Sequence, residues 1–75
     1  MTTTSSLPPL RIIRRKQLEE RTGLSRSAIY DRLSSNSPRF DPSFPRAIKL
    51  GANSVGWVES EIEAWLLSRM QMNRV

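Results

Sequence analysis

The stretch Thr22-Gly23-Leu24-Ser25 lies between Lys16-Gln17-Leu18-Glu19-Glu20-Arg21 and Arg26-Ser27-Ala28-Ile29-Tyr30-Asp31-Arg32-Leu33, and its reading decides the fold. The first flank has the pattern of a short polar helix. That helix ends at Gly23, the residue best able to take a left-handed backbone conformation. A second helix can start at once, because the Ser25 hydroxyl can accept a hydrogen bond from the open N–H groups of the next turn. Leu24, between them, can plug the crevice where two helices cross. Two helices at a steep angle, joined by a short turn containing Gly, make a helix-turn-helix. In a small basic chain that motif points toward DNA.

Composition narrows the chemistry. Seventy-five residues allow one domain, and a core of that size leaves only a few kcal/mol once chain entropy is met. The chain has no cysteine and no histidine. Disulfides, thiolate metal sites, the usual general base and the commonest zinc ligand are therefore absent. Ser-His-Asp and Cys-His chemistry are excluded, the carboxylates show no catalytic pairing, and there is no glycine loop to cradle a phosphate. The chain reads as no enzyme, with no cofactor and no metal. Its formal charge is +5, and ten of its twelve cations are arginine, whose planar fork suits phosphate and the guanine edge. Solubility alone also explains such a charge, so the charge gains meaning only beside the motif. No apolar run approaches the ~18 residues of a membrane span, and no secretory pattern opens the chain. The expectation is a soluble, cytoplasmic protein with no membrane partner.

Residues 1–9 form a polar tail ending in Pro8-Pro9, expected to be disordered. An arm reaching DNA is the alternative, against which stands its lack of Lys and Arg. Leu10 to Ile13 suits a brief extended segment with one isoleucine packed under the first helix. Arg14, Arg15 and Lys16 then crowd the N-terminus of that helix, where the dipole disfavours cations by up to ~1 kcal/mol. No good capping residue precedes Lys16. Cations at an open helix start suit a phosphate; a solvated charge run is the alternative. Leu18 is the buried anchor of this helix, with Glu19, Glu20 and Arg21 toward solvent.

The second helix, about 26–34, turns Ile29 and Leu33 to the core and Arg26, Ser27, Tyr30 and Asp31 to the other side. With Ser25 at its head, this face is the candidate for the major groove. Arg26 can fork onto guanine, Ser27 can bond a base or phosphate, and Tyr30 can pack on a thymine methyl or bond phosphate. A half-buried packing role is the alternative for Tyr30. Asp31 would pair with or orient a neighbouring arginine, and Arg32 can reach the DNA backbone. Three prolines within the link 38–45 exclude regular structure, and Phe40 and Phe44 are the pins that hold it, exposure of one of them being the alternative. Arg46-Ala47-Ile48-Lys49-Leu50 alternates at the strand period, with Ile48 and Leu50 on one face; Gly51-Ala52-Asn53-Ser54 turns, and Val55-Gly56-Trp57-Val58 returns. A hairpin over 46–58 is a wing, able to set Arg46, Lys49, Asn53 and Ser54 against phosphate; an ordinary surface hairpin is the alternative. Glu59 to about Met70 forms the last helix, with Ile62, Trp65 and Leu66 in one stripe, Trp65 the largest core residue, and residues 71–75 a frayed tail.

Gly23-Leu24-Ser25-Arg26-Ser27-Ala28-Ile29-Tyr30, Phe44-Pro45-Arg46-Ala47-Ile48-Lys49-Leu50-Gly51, and Ser54-Val55-Gly56-Trp57 followed by Glu59-Ser60-Glu61-Ile62-Glu63-Ala64-Trp65-Leu66 together resemble the AlpA-like phage and prophage regulators. The likeness runs from about Leu10 to Arg69. It implies a winged helix-turn-helix related to the N-terminal domain of MerR regulators and to excisionases. It implies binding at promoters or attachment-site repeats of integrated elements, with RNA polymerase or integrase as protein partners. Family members are usually described as transcriptional activators; relatives act as recombination directionality factors that bend DNA. The link Ser34 to Ser43 is longer, and the run Arg14-Arg15-Lys16 more basic, than is usual in that family.

The expected fold is thus mainly α with a small β-hairpin, a winged helix-turn-helix over residues 10–70. Its expected work is sequence-specific binding of double-stranded DNA, as copies side by side on repeats. A protein-binding adaptor is the rival.

Overall fold

The computed structural model describes residues 10–73. The expected tail 1–9, and Arg74 and Val75, lie outside them. The elements run β1 (Ile12–Ile13), α1 (Arg15–Thr22), α2 (Arg26–Leu33), β2 (Ile48–Gly51), β3 (Ser54–Val58) and α3 (Glu59–Met72). Three helices thus pack with a small antiparallel sheet of order β1-β3-β2, the plan of a winged helix-turn-helix. Helix α3 continues two residues beyond Met70.

The turn between α1 and α2 forms as its residues dictate. Gly23 sits at φ 74° and donates its N–H to Glu19 O, closing α1 in the left-handed region that costs side chains with a Cβ. The Ser25 Oγ accepts from Ala28 N at 3.2 Å and caps α2. Leu24 is half-buried against the core. At the start of α1 an arginine stands where a cap belongs, and its side chain has no acceptor to offer. Gln17 supplies part of what is missing: its Oε1 accepts from Arg14 N at 3.0 Å.

Ile13, Leu18, Ile29, Phe44, Trp57, Ile62 and Trp65 make the core. Trp57 is its closed centre at 0 % exposure, whereas Trp65 lies nearer the rim at 8 %. The Trp57 Nε1–H meets no acceptor among the described residues. That costs about 1–3 kcal/mol, against roughly 4–6 kcal/mol from burying an indole-sized surface, so burial prevails. Trp65 stacks edge-on against Phe44, centroids 4.9 Å apart, and its Nε1–H donates to Asp41 Oδ2 at 3.3 Å. Phe44 is therefore the pin of the link, with Phe40 only half-buried.

Three features go beyond what the sequence indicated. The short extended segment is a true strand: Ile12 pairs with Val58 and Ile13 with Trp57, so β3 lies between two partners. The alternation in β2 does not mark a core face, since Ile48 and Leu50 are exposed, 40 % and 47 %. The ideal Cβ of a residue replacing Gly56 would lie 2.5 Å from Ile12 Cγ2 and 3.1 Å from Leu50 Cδ1. Ile12 and Leu50 therefore close over the gap that Gly56 leaves, on the sheet face away from Trp57. Arg21, expected to be simply solvated, bonds Glu59 Oε2 at 2.9 Å and also Glu63, so it ties α1 to α3.

Candidate nucleic-acid interface

Helix α2 presents a clean division. Ile29 is wholly buried, while Ser25, Arg26, Ser27 and Tyr30 are exposed. The Arg26 guanidinium lies 5.9 Å from the centroid of the Tyr30 ring. A cation over an aromatic face is held by the ring quadrupole, so the two side chains restrain each other before any ligand arrives. Ser25 uses an oxygen lone pair on its cap, which leaves its O–H to donate. Asp31 is half-exposed, with Oδ2 3.7 Å from Arg39 Nη1.

The start of α1 and the wing meet this helix on one side. Arg14, Arg15, Lys16, Tyr30, Asn53 and Val55 line a single open hollow. Arg14 Nε donates to Val55 O at 2.9 Å, so the basic start of α1 is fastened to the wing. Asn53 occupies the turn at the wing tip. Lys49 is the cross-strand partner of Val55, and directly opposed side chains share a sheet face, which puts Lys49 on the hollow's side. Lys16 has no ion pair among the described residues, whereas Arg15 is paired with Glu19. Ser54, opposite Gly51, is half-buried.

Arg32 and Arg46 stand apart from that hollow. Arg32 Nη1 donates to Ala28 O at 3.2 Å, and its side chain lines a cleft with Asp41, Trp65 and Arg69. Arg46 lies in the groove between the link and α3 with Pro42, Phe44 and Trp65. Sequence reasoning missed Arg39, which lies beside Asp31 in space. The available signal was Asp31 itself: an acid among basic and polar exposed residues calls for a nearby cation, and Arg39 is a cation of the link that follows.

No cluster of three or more metal-ligating side chains occurs among the described residues, and no described helix is long and apolar enough to cross a membrane. The fold and the exposed, capped second helix beside a wing define a winged helix-turn-helix module. The profile of the family described as "Prophage CP4-57 regulatory protein (AlpA)" matches residues 11–70, and the chain belongs to this family. It is 44% identical over 63 residues to a protein of Escherichia coli (strain K12) named "DNA-binding transcriptional activator AlpA", covering 84% of this chain and 90% of that one. It is 33% identical over 60 residues to "Uncharacterized protein ORF88" of Enterobacteria phage P4, covering 80% of this chain and 61% of that one. No solved structure matches.

Proposed function

We propose that the protein is a regulator that binds double-stranded DNA by sequence, with α2 in the major groove. The observation that carries this is the exposed set Arg26, Ser27 and Tyr30 on a capped helix, with the basic start of α1 and the wing tip on the same side. In this reading Arg26 takes guanine, Ser25 and Ser27 bond bases or phosphate, and Tyr30 meets a thymine methyl or a phosphate. Arg14, Lys16, Lys49, Asn53 and Ser54 hold the backbone on one flank, with Arg15 adding little while Glu19 holds it, and such contacts position without specifying. The name of the E. coli relative favours transcriptional activation as the outcome of binding. Membership of a prophage family favours promoters or attachment-site repeats of a mobile element as targets. RNA polymerase and integrase are the corresponding protein partners.

Selection of bound duplexes from a random pool yields the target; Arg26→Ala is then measured on target and random DNA. A base contact costs about 1–3 kcal/mol on the target and much less on random sequence. Equal loss on both reduces Arg26 to a phosphate contact. No loss on either removes Arg26 from the contact, whereas wild-type protein that selects no duplex yet binds an acidic protein supports the adaptor and overturns the DNA reading.

A further inference from the structure

The geometry points to Arg39 as a phosphate contact on the flank of α2 opposite the wing, with Asp31 as the residue that positions it. This rests on the DNA reading above and extends it to the link. Successive residues of a helix project ~100° apart. Tyr30 lines the hollow with the wing and the start of α1; Asp31, ~100° further round the helix, does not line it and is paired instead with Arg39, which borders the separate cleft of Arg32, Asp41 and Arg69. Arg39 lies there, its side chain 73 % exposed and Nη1 3.7 Å from Asp31 Oδ2. A helix seated in a major groove about 12 Å wide has a phosphate strand on each side. The hollow supplies cations to one of them. Without Arg39 the other would face the bare carboxylate of Asp31.

The backbone that carries Arg39 is fixed. Arg39 N donates to Ser37 Oγ at 3.1 Å, Phe40 N to Ser37 O at 3.1 Å, and Asp41 N to Arg32 O at 3.0 Å. Asp41 in turn is bonded by Ser43, Trp65 and Arg69, which locks the link onto α3. The long link is thus a rigid platform that carries one exposed guanidinium, touched only by Asp31 of α2 among the acidic side chains described. An exposed pair at 3.7 Å is weak, so Asp31 aims Arg39 without holding it back from a stronger anion. Arg39 also borders the cleft with Arg32 and Arg69, where the carboxylate of Asp41 is already engaged, so the local field there favours an anion.

Arg39→Ala, Arg39→Lys and Asp31→Asn, and Asp31→Asn combined with Arg39→Ala, are titrated on target and random duplexes between 50 and 200 mM salt, with thermal melts beside them. Arg39→Ala is expected to weaken binding to both duplexes by a similar factor and to lower the salt slope by about one, with the melt unchanged; Arg39→Lys keeps the slope. Asp31→Asn is expected to weaken binding while Arg39 is present and to tighten it once Arg39 is gone. A mere charge effect would tighten it in both, and that result overturns the positioning role. Unchanged affinity and slope in Arg39→Ala overturn the contact. Arg26→Ala, run in parallel, separates the two failures: if it abolishes target preference while Arg39→Ala changes nothing, only this inference falls. Wild-type protein that binds no duplex overturns both.

Discussion

Ser25 accepts a hydrogen bond from Ala28 N and, in the proposed complex, offers its O–H to DNA. The two tasks can be separated by substitution. Ser25→Ala removes the cap, which costs about 1 kcal/mol and lowers the melting temperature of a domain this size by roughly 4–8 °C. Ser25→Asp keeps an acceptor of equal quality at the cap but sets a carboxylate against phosphate. It is expected to melt close to wild type and yet bind duplex at least ~tenfold more weakly. A calorimetric melt and a binding titration on the same two variants check this; equal binding by Ser25→Asp would place the DNA away from the head of α2. At this scale the sequence was highly legible. Gly23 and Ser25 act through their own backbone and hydroxyl within a few residues, and such local chemistry needs no knowledge of the fold. Arg21 was not legible, because its acidic partners lie about 40 residues further on in α3.

The elements that sequence reading resolved least well are those whose meaning is long-range. Two residues of β1 carry no periodicity, and become a strand only because Val58 and Trp57 are there to pair. The alternation of β2 was correctly a strand signal, but its apolar face stays exposed, with Leu50 closing over Gly56 beside Ile12 and Ile48 bordering the groove along α3. Gly56→Ala should therefore press on Ile12 and on Ile13 O, 3.1 Å from the new Cβ, and destabilise by about 1–3 kcal/mol, read in the urea midpoint. The link is the second such element. Burial alone would raise the Asp41 carboxyl, but hydrogen bonds from the Ser43 hydroxyl and N–H, Arg69 and Trp65 outweigh it and bring its pKa down from 3.8 to about 2. A folded-state pKa below the unfolded one gives stability that is complete above the unfolded value and lost as pH falls from about 4 to 2. Solvent screening holds the share to about 1–2 kcal/mol. Asp41→Asn should be less stable than wild type at pH 7, and the gap should close toward pH 2. Urea unfolding at pH 7, 4 and 2 checks both points; a gap independent of pH would remove the carboxylate's charge from the account.

For the molecule as a whole, the distribution of charge matters more than its sum. Glu59 and Glu63 are committed to Arg21, Glu19 to Arg15, and Asp41 to Arg69. In the proposed complex Arg14, Lys16, Lys49 and, across α2, the weakly paired Arg39 meet phosphate. Four such contacts predict that the logarithm of affinity falls with the logarithm of salt at a slope of about −3.6, close to −4, a loss of about 150-fold between 50 and 200 mM. A single module of this kind buries roughly 600–1,000 Å², too little for tight, selective binding by itself. High affinity then requires further copies on neighbouring repeats, and each added copy brings its own four cations. The slope should therefore rise in steps near four as the duplex is lengthened from one repeat to two, while stoichiometry rises from one chain to two. Sedimentation and salt titrations on one- and two-repeat duplexes read both quantities. A slope near −4 that persists on two repeats, with tight binding by one chain, would show that a lone copy suffices and that the basic hollow and Arg39 form the whole of the electrostatic interface.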